Sequence, residues 1–186
     1  MEIDFFDENC QSHTKAAKFG LCDEPPPSTN PAYIDLKDVN QWIATVENNQ
    51  HIDIIFTAID NCIEIYRSDS KMANRCDGML TYIHTIIFVE LKQRKPSGRN
   101  YRNLINKAEI QLRSTISVFI RNKNSEKFVT KRAYIANAKK PEFQQSHKER
   151  MQRFKDDTGF ILKIENKIII TDHTSFSTHS FRQSIK

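Results

Sequence analysis

The chain is poor in glycine and cysteine and has no long apolar run. Its 186 residues include only four Gly, too few for a glycine-rich nucleotide loop, so nothing indicates an ATP-driven function. No segment approaches the apolar length of a membrane span, and the start, MEIDFFDEN, lacks the basic and apolar regions of a secretory signal. Four scattered cysteines do not make a disulfide framework. We therefore expect a cytoplasmic protein that has no membrane partner.

The remaining composition is that of a compact globular domain. Hydrophobic residues make up 38% of the chain, with twelve Phe, and 186 residues are enough to bury a substantial core. The proline-rich run PPPSTNP suits neither a helix nor a central strand. We expect an N-terminal arm or linker over residues 1–31, a folded domain over 32–172 and a polar tail over 173–186.

Positive charge is concentrated in one part of the chain. The formal net charge is +5, but residues 91–140 carry fourteen Lys or Arg against two acids, which leaves −7 for the rest. This asymmetry indicates a surface that faces a polyanion, although basic helices are often simply solvated. The candidate nucleic-acid-binding residues are Arg94, Lys95, Arg99, Arg102, Lys107, Lys131, Arg132, Lys139 and Lys140.

Hydrophobic periodicity and turn residues predict an α/β domain. In the first half, the pattern predicts a helix from Asp38 to about Glu47, strands at 51–59 and 62–67 joined at Asp60 and Asn61, and a hairpin within 76–94. In the second half, it predicts a long helix around 104–119, a strand at 131–138, a short helix near 147–154, and a closing hairpin of 160–164 with 167–171. The order is αβββαβ with additions. We expect a central mixed β-sheet flanked by helices on both faces.

Segment 76–94 is the most informative part of the sequence. If its two strands form a hairpin with Tyr82 facing Thr85, the antiparallel register brings Asp77 opposite Glu90. Because side chains alternate along a strand, Glu90 and Lys92 share one face, and the apolar residues between them point to the other. Two carboxylates and a lysine then meet at one end of the sheet.

Such a group of side chains has a chemical use. Two carboxylates that face each other repel, and a cation between them stabilises the pair. Ligands that are all oxygen favour Mg²⁺ or Mn²⁺. A metal held there can activate a water and polarise a phosphodiester, while a nearby ammonium neutralises developing negative charge. The alternative is that these side chains are solvated and have no role.

Asp77 followed by Glu90-Leu91-Lys92 resembles the signature of the PD-(D/E)XK nuclease superfamily. Residues from about 38 to 171 can be laid on that family's core. The resemblance implies a restriction-endonuclease-like fold and Mg²⁺-dependent phosphodiester cleavage, with Asp77 and Glu90 as metal ligands and Lys92 near the attacking water. Cys76 stands where the motif has the proline that gives it its name, but this proline takes no part in the reaction.

The resemblance also suggests residues that complete the site. In many members an acid from the first helix binds the metal, and Glu47 is the best placed here. Glu64 competes for this role, with a solvent-exposed carboxylate as the alternative for both. Gln111 resembles the glutamine that some nuclease branches place beside the site, although a surface glutamine would explain it equally simply.

These expectations describe a metal-dependent nuclease. Its cofactor is Mg²⁺, with Mn²⁺ as a second option, and its substrate is nucleic acid, with DNA favoured over RNA. The alternative is a catalytically inactive module of the same fold that binds nucleic acid or an acidic protein partner. The sequence leaves a homodimer open.

Overall fold

The computed structural model describes residues 3–93, 99–138 and 147–172, in which ten strands form two sheets. The six-stranded sheet, in its spatial order, consists of β1 (Gln11–Thr14), β5 (Ile54–Ala58), β6 (Gly78–Tyr82), β7 (Thr85–Lys92), β8 (Thr130–Asn137) and β9 (Ile161–Ile164). The four-stranded sheet, in its spatial order, consists of β10 (Lys167–Ile169), β4 (Ala44–Glu47), β2 (Lys18–Cys22) and β3 (Tyr33–Asp35). Two helices, α1 (Arg99–Arg121) and α2 (His147–Thr158), accompany them.

The six-stranded sheet is the middle of three layers. On one face Phe88 of β7 packs with Leu112 of α1 and Phe154 of α2. On the other face Val89 packs with Val46 of the four-stranded sheet. Adjacent residues of β7 therefore belong to two different cores, as the alternation of a strand requires. The general α/β class is confirmed, but the prediction of helices on both faces is wrong, because a second sheet covers one of them.

The hairpin formed by β6 and β7 is confirmed. Tyr82 pairs with Thr85, and the antiparallel register continues to Gly78 opposite Val89. One further step along this register brings Asp77 to the position opposite Glu90.

Gly78 is required where the hairpin begins. A Cβ atom at this position would lie 2.6 Å from the ring of Phe56 on the neighbouring strand β5. This is far inside normal contact distance, so the aromatic ring and a side chain at position 78 exclude each other.

The crossover after the hairpin is also confirmed. Helix α1 connects β7 to β8, which run parallel, with Glu90 paired to Ile135. The short helix expected near 147–154 is α2, and β9 after it pairs parallel with β8.

The prediction of a first helix over Asp38 to Glu47 is wrong. Asp38 caps only a short 3-10 helix, Val39–Gln41, and the chain then forms β4. Within β4 the buried positions alternate with partly exposed ones, which is the two-residue period of a strand. The order of the described elements therefore departs from αβββαβ at its first member.

Two other expectations for the first half of the chain are wrong. Within the expected arm, residues 11–14 and 18–22 are not irregular, because they form β1, which pairs with β5, and β2, which pairs with β4, one in each sheet. Residues 62–67 do not form a strand beside β5. They contribute a single bridge, Tyr66 to Met72, while β5 pairs with β1 and β6.

The predicted closing hairpin and the expectation of unpaired cysteines are also wrong. Strands β9 and β10 are joined by only two residues, yet β9 pairs with β8 in one sheet and β10 with β4 in the other. Cys10 and Cys62 form a disulfide across 52 residues. Cys22 and Cys76 are buried free thiols.

Candidate active site

The hairpin places Asp77 and Glu90 together at the end of β7. Glu90 is fully buried, at 0% exposure, and Asp77 is 6% exposed. The backbone N–H of Leu91 donates to Oδ2 of Asp77 at 2.5 Å, which fixes this carboxylate against β7. Lys92 is partly buried, and its Nζ donates to Oε1 of Glu90. The structure thus brings together the three residues that the sequence motif singled out.

One oxygen of this group is left without a donor. Oε2 of Glu90 is buried, and no group among the described residues donates a hydrogen bond to it. A buried carboxylate oxygen without a partner is costly, and either a proton or a bound cation removes that cost. This observation is what makes the pair of acids a candidate metal site.

The electrostatics of the pair support the same interpretation. Burial, opposed by the positive charge of Lys92, raises the pKa of Asp77 to about 7. Burial and then the negative charge of Asp77 raise the pKa of Glu90 well above its usual range. Burial also disfavours the charged form of Lys92, but Glu90 and Asp77 outweigh it, and the pKa of Lys92 is raised. The lysine therefore stays positively charged. Its single positive charge is not enough to compensate for two buried carboxylates.

Helix α1 supports the site through Gln111. Its Oε1 lies 3.4 Å from Nζ of Lys92, and its Nε2 donates to the backbone carbonyl of Arg75 at 3.0 Å. One turn later, Thr115 accepts a hydrogen bond from the backbone N–H of Cys76 at 2.9 Å. Two side chains of α1 therefore hold the segment that leads into Asp77, and Gln111 lies beside the lysine as the resemblance suggested.

Two acids near the site were missed by sequence reasoning. Asp23 follows β2, and burial raises its pKa, whereas the charge of Lys92 lowers it. The side chain of Gln93 donates to the backbone carbonyl of Asp23 at 2.6 Å, which holds the end of β2 against the end of β7. Asp60 pairs with Arg75 at 2.7 Å, and its charge helps to raise the pKa of Asp77. Asp23 fell in the supposed arm and Asp60 in a supposed turn, so no sequence signal marked them.

Glu47 and Glu64 do not join this group. The role predicted for Glu47 is wrong, because it depended on a helix that does not form. Glu47 lies in β4 of the four-stranded sheet, on the far side of the central layer, and pairs with Lys167 at 2.8 Å. Glu64 is exposed and accepts a hydrogen bond from the hydroxyl of Tyr66 at 3.2 Å.

The candidate nucleic-acid-binding residues fall into three groups. Arg102 and Lys107 are exposed on α1, the helix that carries Gln111, and Arg99 begins that helix. Lys131 and its neighbour Arg132 lie at the start of β8 instead. Lys131 pairs with Ile86, four residues before Glu90 along β7 and about 13 Å away. The remaining four lie outside the described residues: Arg94, Lys95, Lys139 and Lys140.

No protein-family model, curated protein or solved structure matches this chain. Within residues 3–93, 99–138 and 147–172, no group of three or more His, Cys, Asp or Glu side chains is placed to hold a metal ion. Neither α1 nor α2, the helices of the described ranges, is long and apolar enough to cross a bilayer.

Proposed function

We propose that the protein is a metal-dependent nuclease of the PD-(D/E)XK type that hydrolyses phosphodiester bonds, with DNA favoured over RNA. The observation that carries this proposal is the buried carboxylate pair Asp77 and Glu90, with an unpartnered oxygen on Glu90 and an ammonium beside it. The element order β5, β6, β7, α1 and β8, in which β8 runs parallel to β7, supports a restriction-endonuclease-like core. The four-stranded sheet would replace the first helix of that core.

The donor set fits a hard divalent cation. Asp77 and Glu90 would hold Mg²⁺, or Mn²⁺, through carboxylate oxygens. Two protein ligands leave several positions for water and phosphate, which suits Mg²⁺ because it gives up its water reluctantly. When bound, the metal would polarise a phosphodiester and make a bound water more acidic.

The residues around the pair have separate tasks in this proposal. Lys92 keeps its positive charge, so it can donate a hydrogen bond to the attacking water or to a phosphate oxygen. Gln111 restricts the position of that ammonium and ties it to the segment before Asp77. Arg102 and Lys107 would contact the phosphate backbone, which gives affinity without reading sequence.

Two further properties stay predictions. A cytoplasmic location is proposed from the sequence, but the Cys10–Cys62 bond counts against it, because disulfides are rare in the cytosol. The homodimer is likewise a proposal, and light scattering of the purified protein would test it.

The function is tested by incubating the protein with plasmid, single-stranded DNA and RNA, each with Mg²⁺, Mn²⁺ or EDTA. Cleavage should require the metal and should fall by at least about 100-fold in Glu90→Gln and in Lys92→Met. Glu64→Gln is the matched control, since it makes the same chemical change at an exposed glutamate. Binding to nucleic acid without cleavage under any of these conditions would favour the inactive nucleic-acid-binding module, and neither binding nor cleavage would overturn both the nuclease and that module.

A further inference from the structure

An open cleft lies at the end of the six-stranded sheet away from Asp77 and Glu90. Its volume is about 500 Å³, within the range of small-ligand sites. The floor follows one row across three strands, because His13 pairs with Ile55 and Ile55 pairs with Thr81. The turn of the β6–β7 hairpin forms one side of the cleft through Ile83 and His84.

The opposite wall combines aromatic rings with a positive charge. The rings of Phe6 and Phe128 stack at a centroid distance of 6.5 Å, and Nζ of Lys127 lies 3.5 Å from the centroid of the Phe6 ring. No carboxylate of the described residues forms an ion pair with Lys127. The one acid that lines the cleft, Asp53, pairs with Lys15 instead. The charge of Asp4 acts on this ammonium, but within the described residues the ammonium is held by an aromatic face and not by an ion pair.

Ile83 is an unexpected residue for the turn that it occupies. Its φ is 46°, in the left-handed region, which is strained for a β-branched side chain. Two-residue hairpin turns normally place Asn or Gly at such positions. Burial does not compensate for this strain, because Ile83 is 50% exposed. Strain at an exposed apolar side chain points to a role in contacting something else.

We propose that this cleft binds a small organic anion that has an apolar body. Lys127, together with the imidazoles of His13 and His84 at the rim, would bind the anionic group. Ile83, Ile55 and the Phe128 ring would contact the apolar part. This binding is independent of the nuclease function, because the cleft and the carboxylate pair lie at opposite ends of β7.

The proposal is tested with a dye of the stated chemistry, 8-anilinonaphthalene-1-sulfonate, titrated onto the folded protein and followed by fluorescence. Lys127→Met should weaken binding about 10-fold, because it removes the charge and keeps the length of the side chain. Lys123→Met, four residues earlier and also exposed, is the matched control and should bind as the unaltered protein does. Equal loss in both variants would overturn the proposal.

A second variant separates ligand binding from folding. Ile83→Asn should relieve the backbone strain and raise the Tm by about 2–4 °C, yet weaken dye binding several-fold through loss of apolar contact. A lower Tm, or unchanged dye binding, would contradict the role assigned to Ile83. Displacement of the dye by adenosine monophosphate or by octanoate would identify the anionic group as a phosphate or a carboxylate. If neither displaces it, the proposal fails.

Discussion

Replacing Asp77 by Asn tests whether a buried acid destabilises the metal-free protein. Burial raises the pKa of this carboxyl group from 3.8 to about 7, so the folded state binds its proton more tightly than the unfolded state does. For an acid whose pKa is higher in the folded state, the free energy of unfolding falls as the pH rises from the pKa of the unfolded state to the pKa of the folded state. Above the folded-state pKa the loss stays constant. The metal-free protein should therefore be more stable at pH 5 than at pH 8.

The magnitude follows from the shift in pKa. A rise from 3.8 to about 7 corresponds to about 4 kcal/mol of destabilisation at pH 8, of which about 2.5 kcal/mol appears between pH 5 and pH 8. Asn carries no charge, and its side-chain oxygen can still accept the hydrogen bond from the N–H of Leu91. Asp77→Asn should thus be more stable than the unaltered protein at pH 8, with most of the advantage gone at pH 5.

Urea unfolding in EDTA at pH 5 and pH 8 measures this difference. Asp53→Asn is the matched control, because that carboxylate is exposed and the same substitution should leave the pH dependence unchanged. Adding Mg²⁺ at pH 8 should stabilise the unaltered protein and have little effect on Asp77→Asn. If Asp77→Asn is instead less stable at both pH values, the carboxylate contributes favourable contacts and the reasoning from burial is refuted.

Three other predictions concern the fold and the basic surface. Gly78→Ala should lower the free energy of unfolding by about 1–3 kcal/mol, because its Cβ would meet the Phe56 ring; urea unfolding measures it. Cys62→Ser should lower it by about 4 kcal/mol, since it frees a loop of 52 residues, which unfolding without reductant would show. Replacing Arg102 and Lys107 by Ala should reduce the salt dependence of nucleic-acid binding by about one unit of slope per lost contact, measured by gel shifts.

Two of these predictions have a control, and each has an outcome that would contradict it. The unaltered protein treated with reductant should match Cys62→Ser, and a smaller change in both would mean that the bond constrains the unfolded chain little. Lys18→Ala, which changes an exposed lysine of the four-stranded sheet, should leave the salt slope unchanged. An unchanged slope in the Arg102 and Lys107 variant would show that this face is merely solvated. An unchanged unfolding midpoint in Gly78→Ala would mean that Phe56 moves aside at no cost.

Patterns within a short stretch of sequence predicted the hairpin, α1 and β8 correctly. The spacing between Asp77 and Glu90, together with alternation around a two-residue turn, fixes the register without knowledge of the rest of the fold. The spacing of apolar residues along α1 identifies its buried face in the same way.

Contacts between distant segments account for the failures. The spacing of Trp42, Ile43 and Val46 fits a helix, but the indole of Trp42 lies where a side chain at Gly20 would be and donates to Asp35 at 2.7 Å. Gly20 lies 22 residues before Trp42 and Asp35 lies 7 residues before it, and the contacts with both favour an extended chain at Trp42. A local pattern contains no information about them, so propensity was overridden by tertiary contacts.

The same reason explains the incomplete picture of the site. Asp23 reaches it from the end of β2 and Asp60 from the loop after β5. The Cys10–Cys62 bond joins segments whose separation has no recognisable spacing. The positions of the two acids and of the disulfide depend on how the two sheets pack together. This packing was not predicted, because the second sheet was not predicted.

The three short connections between the sheets have a consequence for how the protein unfolds. Residues 15–17 carry the chain from β1 in one sheet to β2 in the other, residues 48–53 carry it back from β4 to β5, and residues 165–166 connect β9 to β10. Neither sheet can separate from its neighbour without pulling on strands of both, at three places in the sequence. Hydrogen exchange should therefore show the two sheets opening as one cooperative unit and not layer by layer.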